Sequence, residues 1–140
     1  MRLPVSGMAK ILIVDDDPSH LKLYSWIVER AGYEALTALV GTSKLELPEE
    51  RDIDVVIQDY RLASELTAID VAKLLKHTFP AAPILVLSEM PWMPDDMGPH
   101  AAAFVHKGEP QQLLDTLATL LHVKPSAFIQ DTLDQTKRYQ

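Results

Sequence analysis

Short unbroken runs of Ile, Leu and Val recur along this chain, and each ends on polar groups. Ile11-Leu12-Ile13-Val14 runs into Asp15, Val55-Val56-Ile57 into Gln58-Asp59, and Ile84-Leu85-Val86-Leu87 into Ser88. A shorter run, Ala103-Phe104-Val105, closes on His106-Lys107. Apolar runs without polar alternation mark strands covered on both faces, the habit of parallel sheets. The segments between them carry helical periodicity instead. Residues 18–31 line up Leu21, Tyr24, Ile27, Val28 and Ala31, and 67–78 supply Ile69, Val71, Ala72, Leu74 and Leu75. Residues 111–122 do the same with Leu113, Leu114, Leu117, Leu120 and Leu121. The expected fold class is α/β, a doubly wound five-stranded parallel sheet with helices on both faces. Its strands are expected at 10–14, 34–39, 54–59, 84–88 and 102–106, joined by right-handed crossovers.

Three stretches break this rhythm. Residues 42–50 predict a short, weak helix interrupted by Pro48. Residues 89–100 stand where a fourth helix belongs but contain Pro91, Pro94, Pro99 and Gly98. An interior proline costs a helix about 3 kcal/mol, so that helix is expected to be short or missing. Met90, Pro91, Trp92, Met93, Pro94 and Met97 form a soft apolar cluster there, and it reads as a partner-contacting loop. Residues 124–140 are largely polar, with Phe128, Ile129 and Leu133 as apolar anchors, and read as a tail or the start of a linker.

A chain of 140 residues holds one domain with one good core. Its net charge of −7, with no basic stripe, argues against direct nucleic-acid binding. Zero cysteines exclude disulfides, thiolate catalysis and cysteine zinc sites. No apolar stretch approaches the roughly 18 residues of a membrane span. The first seven residues are too short and polar for a signal peptide, so a cytoplasmic location is expected.

In a parallel sheet the polar run ends converge on one edge, outside the carboxyl ends of the strands. There the chain gathers Asp15, Asp16, Asp59, the hydroxyl of Ser88 and the ammonium of Lys107. Asp17 ahead of Pro18 reads mainly as a helix N-cap. Two carboxylates about 4 Å apart repel by roughly 4 kcal/mol at an effective dielectric near 20. A hard cation with oxygen ligands, Mg²⁺ above all, would offset that. Three carboxylates, a hydroxyl and an ammonium suit metal-assisted phosphoryl transfer, with a carboxylate as nucleophile. His20, His77, His100, His106 and His122 lack metal-ligand spacing and read as surface or structural residues.

In four segments, taken in order, the chain resembles the receiver domain of two-component response regulators. They are Ile11-Leu12-Ile13-Val14-Asp15-Asp16-Asp17, Val55-Val56-Ile57-Gln58-Asp59-Tyr60-Arg61-Leu62, Ile84-Leu85-Val86-Leu87-Ser88 and Phe104-Val105-His106-Lys107. The resemblance implies a flavodoxin-like sheet of order 2-1-3-4-5, a receiver at 10–123, an N-terminal extension at 1–9 and the tail at 124–140. It implies Asp59 as phosphoacceptor, taking its phosphoryl group from a histidine kinase or histidine phosphotransfer protein. Mg²⁺ would be held by Asp16 and Asp59, by Asp15 through water, and by the backbone carbonyl of Arg61. Ser88 and Lys107 would hold the phosphoryl group, and Ser88 with Phe104 would switch a protein-binding surface. The implied protein is regulatory rather than an enzyme on external substrates, a monomer or weak dimer that acts on a target protein or an output domain.

The sequence departs from the family pattern at several points. Gly108 replaces the proline that usually follows the lysine through a cis bond, Ala63 replaces a proline, and Ala68 replaces a turn glycine. Glu89 stands where a small residue is usual. Its carboxylate is expected to alter phosphorylation kinetics by repelling phosphate or by pairing with Arg61. Two further readings accompany the leading one. One is a degenerate receiver that only binds proteins. The other is a Mg²⁺-dependent aspartyl-phosphate phosphohydrolase, suggested by Asp15-Asp16-Asp17 but lacking a cap insertion.

Overall fold

A computed structural model describes residues 8–62 and 65–122. The strands are β1 (Lys10–Asp15), β2 (Glu34–Leu39), β3 (Val55–Asp59), β4 (Ile84–Ser88) and β5 (Ala103–His106). The helices are α1 (Pro18–Arg30), α2 (Ala68–Thr78) and α3 (Pro110–His122). All strands pair in parallel in the order β2-β1-β3-β4-β5. The direction in which successive strands are added reverses after β2, which puts the switch point of the sheet between β1 and β3, where Asp15 and Asp59 end their strands.

The pleat sorts the apolar runs into two cores. Ile11, Ile13, Val55, Ile57, Leu85 and Leu87 meet Leu21 and Val28 of α1 and Leu113 and Leu117 of α3. Leu12, Val14, Val56, Ile84 and Val86 face the other way, onto Val71, Ala72 and Leu75 of α2. This explains the unbroken runs, since both faces of the central strands are dry.

Helix ends follow local chemistry. The Asp17 carboxylate accepts from the Ser19 N–H, with Pro18 in the first turn. Thr67 and Asp70 form a capping box at the start of α2. Gly32, at φ +98°, turns the chain out of α1 toward β2.

The expected helix at 42–50 is absent. That segment forms an isolated antiparallel bridge, Val40 with Leu45, and tucks Leu45 and Leu47 against the core. Although Thr42 and Ser43 could cap a helix, Pro48 leaves too few residues after them to offset the cost of nucleation. Residues 89–100 match the expectation of a missing fourth helix, with only a 3₁₀ turn at Asp95–Met97. Their apolar side chains do not act as one surface cluster, however. Met97 is fully buried, Pro94 is buried and Met93 packs against the core, while Trp92 is exposed. The Lys107–Gly108 bond is trans, with Gly108 at φ +89°. Ala63, the anchors Phe128, Ile129 and Leu133, and the rest of the tail lie outside the described residues.

Candidate phosphoryl and cation site

Strand geometry brings the expected groups together. Asp15 and Asp59 end β1 and β3 with their side chains buried, and Ser88 ends β4, also buried. Asp16 is half-buried in the turn after β1. One ligand atom from each of Asp15, Asp16 and Asp59 lies within 4.8 Å of the others. An octahedral cation with bonds near 2.1 Å sets its ligands roughly 3.0 Å apart at cis positions and 4.2 Å at trans. Small side-chain shifts therefore close this trio on one ion.

Lys107, the residue after β5, reaches back over the sheet edge. Its Nζ stands 2.7 Å from Asp59 Oδ1, an ion pair whose angle leaves that buried oxygen without an aligned hydrogen-bond donor. The Lys107 N–H donates to the Ser88 carbonyl at 2.8 Å, fixing β5 beside β4 at the site. The Ser88 hydroxyl oxygen accepts from the Met90 N–H at 3.0 Å, which leaves its own proton free to donate elsewhere. Arg61 gives its backbone N–H to the Asp59 carboxylate. Its side chain joins those of Asp16, His20, Asp59, Glu89 and Lys107 in the walls of an open pocket.

The electrostatics show strain on the negative charges. Burial, and then the charge of Asp59, pushes the Asp15 carboxyl up to about 6, although the Asp17 N–H on Oδ1 works against the rise. Burial likewise holds Asp59 above the usual carboxylate range despite Lys107. Burial alone would lower the Lys107 ammonium, but Asp59 and then Asp15 more than offset it and hold it above its ordinary value. A pocket that raises two acids and keeps an unaligned carboxylate oxygen is short of positive charge. Oxygen donors in that state fit a hard divalent cation.

Phe104 is half-buried in β5, in register with Val86, and is not among the pocket walls. Among the described residues Glu89 makes no ion pair with Arg61, although both line the pocket. His20, expected to be a surface or structural residue, is part-exposed in the pocket wall, with Nδ1 3.2 Å from Asp15 Oδ2. Its signal was a position in the first turn of the helix that starts at the acidic triplet. Gln58, buried beside Asp59, donates from Nε2 to the Ala68 carbonyl at 2.8 Å and so ties the start of α2 to β3.

Known proteins share this arrangement of fold. The chain is 34% identical over 84 residues to the transcriptional regulatory protein ZraR of Salmonella typhimurium, covering 60% of this chain and 19% of that relative. It thus spans about a fifth of that relative's length. A chemotaxis response regulator of Vibrio cholerae superposes with a TM-score of 0.64 at 28% identity, over 81% of this chain and 99% of that one. The response regulator TrrA of Thermotoga maritima, solved with Mg²⁺ and BeF, has the same fold at 23% identity and a TM-score of 0.64, over 81% of this chain and all of that one. The profile of the response regulator receiver domain matches residues 11–118. With the 2-1-3-4-5 sheet and the acidic pocket at its switch point, that match makes this chain a member of the response regulator receiver domain family.

Proposed function

We propose that Asp59 is the phosphoacceptor of this receiver and takes its phosphoryl group from a histidine kinase or histidine phosphotransfer protein. One observation carries the reading: a buried Asp59 oxygen without an aligned donor, 2.7 Å from Lys107 Nζ, within a trio of carboxylates. An Asp59 oxygen attacks phosphorus in line, forming the acyl phosphate while the phosphorus–nitrogen bond to the donor histidine breaks. Asp15, Asp16 and Asp59, with the Arg61 carbonyl, would hold Mg²⁺, which supplies positive charge to the transferring phosphoryl oxygens. Lys107 then follows the new charge from the carboxylate to a phosphoryl oxygen. Ser88 donates its free hydroxyl proton to another, and Phe104 takes the inward place beside it.

Movement of Ser88 would draw on the backbone it holds, the Met90 N–H, and so carry the signal into residues 89–100. The output would be a target protein or a further domain rather than turnover of an external substrate. A net charge of −7 supports a chain that does not itself bind nucleic acid. Incubation with Mg²⁺ and acetyl phosphate, followed by intact mass measurement, tests the reading. One phosphoryl group is expected on the parent and none on Asp59→Ala. Equal labelling of the variant, or an unlabelled parent, would overturn it.

A further inference from the structure

His106 ends β5 in register with Ser88, the last residue of β4. Its half-buried ring bridges the two loops that leave those strands. Nδ1 stands 2.8 Å from the Lys107 carbonyl oxygen, and Nε2 stands 3.0 Å from the Glu89 carbonyl oxygen. Both partners are acceptors. A neutral imidazole has one N–H and one bare lone pair, so it satisfies only one of them. At these distances the other nitrogen would press its lone pair against a carbonyl oxygen. Only the imidazolium donates to both. The geometry is that of a ring with two protons, and imidazole is the side chain that ordinarily exchanges its second proton between about pH 5 and 8.

Charged and titratable groups face the ring from every side. Glu89 lies in the loop after β4 and Lys107 follows β5, while Tyr24 of α1 and Glu109 ahead of α3 line one cavity with the ring. Burial holds the Tyr24 hydroxyl above its ordinary value, so it stays neutral over this range, and Lys107 stays charged beside Asp59. The contact matters because of where Glu89 sits. It follows Ser88, whose hydroxyl accepts from the Met90 N–H at 3.0 Å and whose carbonyl accepts from the Lys107 N–H at 2.8 Å. The ring therefore adds a second link between the ends of β4 and β5. When one proton leaves, the remaining N–H keeps the nearer Lys107 carbonyl, and Glu89 is released. We propose that His106 is a proton-operated clamp whose imidazolium holds the Glu89 backbone against β5 and so opposes the movement of Ser88. The proposal rests on the receiver reading above, in which Ser88 moves toward the phosphoryl group.

Nitrogen-15 spectra of the full chain without Mg²⁺ test the ring directly. Near pH 5.5 both His106 nitrogens should carry protons, and near pH 8 only Nδ1 should. The Met90 amide resonance should move with the same midpoint as the ring. Most of that movement should vanish in His106→Gln, whose amide stays neutral. A ring with one proton near pH 5.5, or a Met90 shift equally large in the variant, would overturn the clamp. Beryllofluoride with Mg²⁺ reads the consequence for the switch. Between about pH 6 and pH 8 the parent's affinity should rise about tenfold more than that of His106→Gln, the scale of one hydrogen bond to a charged group. Asp15 changes charge over the same range, but parent and variant share it, so its effect cancels. An equal rise in both chains would overturn the proposal and leave the receiver reading intact. Failure of both chains to bind beryllofluoride at either pH would overturn the receiver reading, and with it the role given to the clamp.

Discussion

Asp15 is buried to 1% exposure at the end of β1, with the charge of Asp59 nearby, and its carboxyl is pushed up to about 6. A carboxyl whose folded value lies above its unfolded value near 4 binds protons more readily in the folded state. Its contribution is thus a cost that is absent below about pH 4, grows as pH rises, and is complete above about 6. Asp15→Asn removes the charge and keeps an oxygen to accept the Asp17 N–H. At pH 7.5 the cation-free variant is expected to gain of order 2 kcal/mol, a rise in Tm of roughly 5–10 °C. The gain should vanish near pH 4, where the parent carboxyl is protonated, and the variant should lose most of its stabilisation by Mg²⁺. Thermal melts at both pH values, with and without the ion, check this. The groups at this scale that the sequence made legible, Asp15, Asp59 and Ser88, all terminate apolar runs, so strand register alone places them. His20 was not legible, because its reach depends on how the first turn of α1 points.

Residues 89–100 show the same contrast at the scale of an element. Three prolines and a glycine made the loss of a helix legible, but the composition did not reveal which apolar side chains would stay outside. The 3₁₀ turn at Asp95–Met97 resolves that by driving Met97 into the core beside α2. On its outer side the Tyr60 hydroxyl donates to the Asp96 carboxylate at 3.1 Å, tying the turn to the residue after Asp59. Met97 thus fills part of the volume that a fourth helix would cover, and Trp92, at 64% exposure, fills none. Met97→Ala should cost about 2–4 kcal/mol by cavity formation, while Trp92→Ala should stay within about 0.5 kcal/mol. Urea unfolding of both variants measures the difference, and a large cost at Trp92 would contradict this packing. The segment at 42–50 taught the opposite lesson, since its polar helical pattern gave way to the burial of Leu45 and Leu47.

The whole molecule combines a sheet covered by α1 and α3 on one face and by α2 on the other with an acidic edge, and the helix caps and that edge respond to pH in opposite ways. The exposed caps Asp17 and Asp70 are held below the usual carboxylate range by their hydrogen bonds to Ser19 and Thr67. Their help is present above the unfolded value near 4 and is lost as pH falls below it. Asp15 and Asp59 are both raised by burial, so each adds a cost that sets in as pH rises above the unfolded value near 4, and for Asp15 it is complete above about 6. With a net charge of −7, self-repulsion at neutral pH adds to that cost. The cation-free protein is therefore expected to be most stable near pH 5 rather than pH 7. On the proposed function, Mg²⁺ would bind only the deprotonated carboxylates and stabilise the fold by mass action. The increment in Tm on adding saturating Mg²⁺ should be close to zero at pH 4.5 and largest above pH 7, moving the optimum toward neutrality. Melts across pH with Mg²⁺ and with chelator measure both curves. An increment independent of pH would mean that the ion is held elsewhere than on the carboxylates that end β1 and β3.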